Sequence, residues 1–475
     1  MYCFGLACEE RGADEMLIQK EKAFSAGSGI TEGVIWKQLL FFFFPILLGT
    51  FFQQMYNTAD AIIVGKFVGK EALAAVGGTT TLLTLTLGFF IGLSSGGTVI
   101  LSQFYGAHSS ENASRTVHTA IAIAIYSGLA LMVLGIATAR VILRWMQTPE
   151  EVLDLAVLYT RIYFGGMIPS LVYNIGSGLL RAVGDSRRPL FFLIFACTAN
   201  IVLDVILVLG LEMGVAGAAL ASALSQLFSA ILVLLTLARQ APPLKLYLRR
   251  IRIHADLLTR MVRIGLPAGL QSVLHSLSNM IIQAAINSFG TNILAAYTAY
   301  GKIDAIYWAI ISAFGVSITT FVGQNFGAAK YDRVRKSVRV CLLMACGTTL
   351  LISAVLLLLG HPLFLLFTNE EPVIEQGMAM LRFLVPTFIT YVGLEIFAGA
   401  MRGAGEAMQP MIITLLGVCV LRVIWVLVIA PLKPDSFLFM LACYPITWIL
   451  TSLAFTIYYY SYKWLERCKH RLNVL

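Results

Sequence analysis

Charge is scarce in this chain. Asp, Glu, Lys and Arg make up 12% of its 475 residues, against 58% hydrophobic residues and a mean hydropathy of +0.82. A water-soluble domain of this length covers its core with far more polar surface, so the soluble globular classes are excluded. Short alternating apolar and polar segments, the mark of a membrane β-barrel, are also missing, which leaves the helix as the means of crossing a bilayer. The eight cysteines show no metal-ligand spacing, and most fall in apolar runs, where a thiol serves as a small hydrophobe. No HxxH or HExxH pattern occurs, and nothing clusters as an intramembrane metal or catalytic motif would. An integral-membrane enzyme is therefore a poor fit. A structural or receptor role fits less well still, since no soluble domain is present. Residues 1–33 hold no continuous apolar stretch of signal-peptide type. They read as a cytoplasmic tail, helical over Glu15 to Phe24, carrying Cys3 and Cys8 without assignable chemistry.

What the chain has in abundance is long apolar stretches. About 20 such residues span the hydrocarbon layer as a helix. Twelve spans are expected, over 38–64, 72–102, 116–140, 155–180, 189–210, 214–238, 267–288, 293–323, 338–360, 378–401, 410–430 and 437–462. They divide the chain into a tail (1–37), a first six-helix bundle (38–238), a basic linker (239–263), a second bundle (264–462) and a basic tail (463–475). The formal charge of +9 is scattered among loops, which points to topology rather than to nucleic acid. With the N-terminus inside, the inner loops hold Arg181, Arg187, Arg188, the run from Arg239 to Arg263 and the run from Lys330 to Arg339. The outer loops keep only Lys66, Lys70, Arg140, Arg144 and Lys433. That asymmetry places both termini in the cytoplasm of an inner-membrane protein. The linker, with Leu244, Leu246, Leu248, Ile251 and Ile253, looks amphipathic and suited to the inner lipid surface.

The two halves repeat. Gln103-Phe104-Tyr105-Gly106-Ala107 recurs 221 residues on as Gln324-Asn325-Phe326-Gly327-Ala328. Arg181-Ala182-Val183-Gly184-Asp185 recurs at the same offset as Arg402-Gly403-Ala404-Gly405-Glu406, and so do Leu73-Ala74-Ala75 and Pro189. Several loop motifs at one offset indicate duplication. Six spans is an even number, so the repeats are parallel and related by a pseudo-two-fold along the membrane normal. The expected fold is an all-α polytopic membrane protein of twelve helices in two six-helix bundles enclosing a cleft.

A carboxylate within the hydrocarbon layer is costly and rarely idle. Of 25 acidic residues, four fall well inside the expected spans: Asp60, Asp204, Asp304 and Glu395. Asp60 follows Asn57 and Gln53 at helical spacing on helix 1, and Asp204 follows Asn200 on helix 5, at matching depth in the outer half. Two acids and two amides there can hold a proton or a sodium ion, or they can simply bond two helices together. In the second bundle, Lys302 and Asp304 are two residues apart on helix 8 and point to different faces, so each needs a partner elsewhere. His275 on helix 7 and Glu395 on helix 10 lie in the inner half. A His–Glu or Lys–Glu pair could relay protons, while a lone intramembrane His is commonly a packing residue. Arg422 on helix 11 either meets an acid or snorkels. Tyr300, Tyr307 and Trp308 could line a cleft for flat, cationic molecules.

Several segments resemble one family. Gln53-Gln54-Met55-Tyr56-Asn57-Thr58-Ala59-Asp60, Ser102-Gln103-Phe104-Tyr105-Gly106-Ala107, Asn200-Ile201-Val202-Leu203-Asp204 and Gly265-Leu266-Pro267 look like motifs of multidrug and toxic compound extrusion (MATE) exporters, over about 33 to 462. The likeness is to the DinF-like bacterial and archaeal branch. It implies secondary active efflux of organic cations or other amphipathic small molecules, by antiport against protons, favoured here over sodium. Its helix-1 aspartate matches Asp60, and its helix-5 pair matches Asn200 and Asp204. Further members of its cluster fall near Tyr159, Ser177 and Ser222. NorM-type members carry a helix-7 glutamate where this chain has His275 and a helix-10 aspartate near Tyr391, and that departure favours coupling in the first bundle. No cofactor is implied beyond the transported ion. The partners implied are small molecules and membrane lipid, with the protein acting as a monomer. The alternative is a flippase or exporter of lipid-linked precursors or metabolites in the same superfamily.

Overall fold

A computed structural model describes residues 30–434, 436–461 and 464–473. The tail helix expected over Glu15 to Phe24, with Cys3 and Cys8, lies outside the described residues. Among the described residues nine helices are long and apolar enough to cross a membrane: α1 (Ile35–Val68), α2 (Lys70–Gly106), α3 (Ser110–Trp145), α5 (Arg187–Gly210), α6 (Gly214–Arg239), α8 (Thr291–Gly327), α9 (Tyr331–Leu365), α11 (Met408–Leu432) and α12 (Phe437–Tyr460). Two bent pairs add α4 (Glu150–Gly165 with Met167–Ala182, 49°) and α10 (Glu371–Thr387 with Ile389–Gly403, 51°). The twelfth, α7 (Ala255–Asn287), has 33 residues and so extends about 50 Å. Asp256, Arg260 and Arg263 at its start, and polar residues along its length, lower its hydropathy. A short helix α13 (Trp464–Asn473) follows α12. The fold is all-helical, with twelve membrane helices in two halves.

The helices outrun the apolar runs that betray them. α3 starts at Ser110 rather than near 116, and α7 at Ala255 rather than near 267, because polar turns project beyond the hydrocarbon layer without ending a helix. Residues 255–263, expected in the linker, are therefore the first turns of α7. The connection proper, 240–254, is extended apart from two tight turns, one at 241–244 closed by Leu244 N donating to Ala241 O and one over Leu248–Arg250. It lies against α3: His118 Nε2 accepts from Tyr247 N at 3.1 Å, and just beyond the connection Arg115 donates to both oxygens of Asp256, in the first turn of α7, at 3.0 and 3.1 Å. His254 Nδ1 meets Thr119 Oγ1 at 2.9 Å, and its Nε2 accepts from Arg252 Nε at 3.1 Å. Burial, then the Arg115 and Arg252 guanidiniums, hold the His254 pKa below its ordinary value, so the ring is neutral.

The duplication is visible in the backbone. Gly184 and Gly405, one repeat apart, both turn the chain at positive φ (96° and 89°), a conformation glycine adopts without steric cost. Both halves also bend their fourth helix at matching positions, after Gly165 in α4 and at the Val385–Thr387 turn in α10.

The halves meet along α2 and α7, backbone to backbone. A Cβ on Gly92 would stand 2.5 Å from Gly269 Cα, and one on Gly96 2.1 Å from Met261 O. The string Gly92-Leu93-Ser94-Ser95-Gly96 has the letters of a hydrolase nucleophile elbow, but that motif needs a strand-to-helix turn. Here it lies inside α2, and its glycines serve close helix packing.

Candidate transport sites

At the end of the molecule that carries the 240–254 connection, the halves are locked together symmetrically. Gln103 Nε2 on α2 donates to Gly403 O of α10 at 2.9 Å, and Gln324 Nε2 on α8 donates to Ala182 O of α4 at 2.7 Å. Each glutamine caps a helix-terminal carbonyl of the opposite half, where helices leave acceptors open. The same pair closes by backbone contact: a Cβ on Gly106 would stand 2.0 Å from Gln324 O, and one on Gly327 1.9 Å from Gln103 O. Residues 30–34 add a bolt beside this seam. Asn325 and Arg333 donate to Ile30 O, Lys330 to Thr31 O, and Arg333 also to Glu32 O and Gly33 O.

Towards the other end the halves part around two cavities. One, of about 800 Å³, is bordered by Gln54, Asn57, Asp60, Lys66, Tyr163 and, from the second half, Lys302. The other, of about 680 Å³, is bordered by His275, Asn279, Asp304, Glu395, Arg422 and several aromatic side chains. Gln54 borders both.

Within the first half, Asp60, Asn200 and Asp204 are buried, as are Tyr159, Ser177 and Ser222. Their polar atoms are largely unpaired. Asp60 Oδ1, both oxygens of Asp204, both amide atoms of Asn200, Ser177 Oγ and Thr160 Oγ1 have no hydrogen-bond partner. Ser222 does have one, Tyr56 OH at 2.8 Å. Asp60 and Asp204 lie within electrostatic reach of each other. Buried polar groups are almost always satisfied, so unpaired atoms gathered in one place mark a candidate site. Asn57 stands apart: it is exposed to the cavity beside Asp60 and is not among the buried atoms. Along α1, Gln54, Asn57 and Asp60 border the cavity, while Gln53 does not. Both acid-bearing helices finish in wider π turns, Val64–Val68 and Val205–Gly210, a distortion frequent at functional sites.

The second half sorts its candidates differently from the simplest expectation. Lys302 and Asp304 do face apart: Lys302 enters the Asp60 cavity and Asp304 the other. Lys302 thus borders a different cavity from His275, Asp304 and Glu395. Asp304 Oδ2 accepts from Trp308 Nε1 at 2.6 Å. Glu395 pairs with Arg402 at 3.5 Å and accepts from Tyr391 OH at 3.5 Å, so its ionic partner is neither His275 nor Lys302. It fits there because position 315 has no Cβ, which would stand 2.1 Å from Glu395 Oε1. Tyr300 and Trp308 border the cavity, but Tyr307 does not. Tyr307 stacks on Phe388 at 4.1 Å and donates to its carbonyl at 2.9 Å, as a core residue would.

Sequence reasoning passed over Thr160 and Asn279, and took Tyr56 only as a letter of the Gln53–Asp60 motif. It noticed Gln103 and Gln324 only as repeated letters, although a polar residue recurring in both halves at a helix end is a usable sign of a symmetric contact.

Two six-helix halves around a cleft, sealed at one end and accessible at the other, define a membrane transporter and not an enzyme. The MatE family model matches residues 45–206 and 267–428, one copy in each half, and the chain belongs to that family. It is similar to the probable multidrug resistance protein YoeA of Bacillus subtilis, 27% identical over 449 residues that cover 92% of this chain and 96% of that one. It is also similar to an FAD transporter of Shewanella oneidensis, 24% identical, covering 82% and 86% of the two chains. Among solved structures, the outward-facing conformation of a multidrug resistance MATE family transporter of the MOP superfamily superposes with a TM-score of 0.85 at 21% identity, covering 94% and 98%.

Proposed function

We propose that this protein is an exporter of organic cations or other amphipathic small molecules, working as a monomer in the inner membrane with both termini in the cytoplasm. Its halves rock to expose the cleft alternately to each side, and inward proton movement through Asp60 and Asp204 drives the cycle. The observation that carries this reading is the set of three unpartnered carboxylate oxygens buried between α1 and α5. Among the described residues neither acid has a basic group within salt-bridge distance. Protonation removes the cost of a buried unpaired charge, so loading and release of a proton change how α1 and α5 pack. A proton needs only one carboxylate oxygen, whereas sodium needs a shell of several oxygens, and the imposed-gradient test below separates the two. Such coupling is no larger than the difference in proton affinity between the two access states. Relatives named as multidrug resistance proteins support a broad range of cargo. The relative named as an FAD transporter supports a metabolite as cargo.

The test is reconstitution into liposomes with an imposed proton or sodium gradient and a cationic dye as cargo. Asp60→Asn and Asp204→Asn should each abolish gradient-driven export while the protein still folds, and Asn200→Ala should weaken it more mildly. Full gradient-driven export by both aspartate variants would move the coupling site to the second half.

A further inference from the structure

Arg422 is the most deeply buried basic side chain among the described residues, with 1% of its surface exposed, and it borders the second-half cavity. A guanidinium has five donors and stays protonated. Here Nε donates to Thr447 Oγ1 at 3.3 Å and Nη1 to Asn279 Oδ1 at 3.2 Å, while the group lies 4.5 Å from the Tyr444 ring centroid. Nη2 has no partner, and among the described residues no carboxylate lies within salt-bridge distance of Arg422. The acids of that cavity are engaged elsewhere, Glu395 with Arg402 and Asp304 Oδ2 with Trp308.

The surroundings are arranged around this gap. One repeat earlier the position is Ile201, so the arginine is particular to the second half. Arg422 lies between two π-helical stretches of α11, Leu415–Val420 and Trp425–Ile429. The walls are aromatic: Trp308 stands 4.8 Å from Tyr391 and 6.0 Å from Trp448, and Tyr444 stands 5.6 Å from Trp448. Asp304 Oδ1 is also buried without a partner, an acceptor in the same cavity.

We propose that the second-half cavity binds an aromatic cargo bearing an anionic group, a carboxylate or phosphate that Arg422 takes by its open donors. The ring lies between the aromatic walls, and an N–H edge of the same molecule donates to Asp304 Oδ1. A buried guanidinium lacking an acid is stabilised when an anion enters, and fork-to-oxyanion hydrogen bonds are among the strongest available. Helix α5 thus carries a buried acid, Asp204, where the equivalent helix α11 carries a buried base, Arg422. This deepens the reading of the cleft as a cargo site and rests on it.

Equilibrium binding to the full-length purified protein tests this with a matched pair, riboflavin and riboflavin 5′-phosphate, which share the ring and N–H edge and differ in the anion. The wild type should prefer the phosphate form by roughly tenfold or more at low salt. Arg422→Gln should reduce that preference to about threefold or less. Asn279→Asp, which keeps the arginine but supplies a carboxylate beside Nη1, should do the same, and thermal unfolding of each variant reports whether it folds. Equal affinity for both ligands, no binding of the phosphate form by the wild type, or a preference that survives both variants overturns the proposal. Loss of the preference on adding phosphatidylglycerol assigns Arg422 to a lipid headgroup and overturns the cargo assignment. No gradient is present, so the outcome is independent of whether Asp60 and Asp204 couple ions.

Discussion

Removing the paired glutamines at the sealed end should open that end by a calculable amount. Gln103 and Gln324 each make one hydrogen bond to a helix-terminal carbonyl of the other half, and both side chains are buried. These bonds hold the sealed arrangement, and on the alternating-access reading they break when the halves rock. A hydrogen bond contributes about 1 kcal/mol net, and a stranded buried carbonyl adds about as much again. Gln103→Leu should therefore weaken the sealed state by about 1–2 kcal/mol, which shifts the equilibrium towards opening by roughly 5- to 30-fold. Gln324→Leu should do somewhat less, because its Oε1 is already a buried acceptor without a partner, and leucine removes that penalty. The double variant should shift the equilibrium further than either single variant, since both bonds hold the same seam. Spin labels at Glu111 and Asp332, exposed positions one repeat apart at the sealed end, report the distance between the halves by pulsed EPR. A longer-distance population should appear in each single variant and dominate in the double. If the distance distribution is unchanged while thermal stability falls, the glutamines are general packing residues and the reasoning fails.

Three further outcomes follow from the same structure. Deleting residues 2–29 should leave transport intact, whereas deleting 2–34 should impair it, because the bonds from Arg333, Lys330 and Asn325 end on 30–33; equal transport by both truncations would contradict that. A cysteine at exposed position 249 should resist membrane-impermeant thiol reagents in intact cells and react in inside-out vesicles, and the reverse pattern would invert the topology. The neutral His254 ring holds the connection to α3, and its pKa is lowered, so this contribution is present above its ordinary value of 6.5 and lost as pH falls through the lowered one. A spin label at 249 should therefore gain mobility in acid, and His254→Gln should remove that pH dependence.

The membrane class, the duplication and the positions of the four intramembrane acids were legible in residue order alone. Apolar run length and helical period are local properties, and a repeat at one offset needs no tertiary information. That Asp60 and Asp204 belong to the same half also followed from residue order, whereas their burial did not. What residue order could not reveal is which way each side chain faces. Lipid is as apolar as a protein core, so a membrane helix has no hydrophobic stripe to mark its inner face. Tyr307 and Trp308 are neighbours, yet one is core and the other borders a cavity. Only the packing of α8 between the halves gave Lys302 and Asp304 to different cavities. The same holds for Arg422, whose lack of an acid is a fact about the placement of the five other helices that border its cavity, and for Gln103 and Gln324, whose partners lie 300 and 142 residues away. Pairing across such distances is decided by how the two halves dock, which is a property of the assembled molecule.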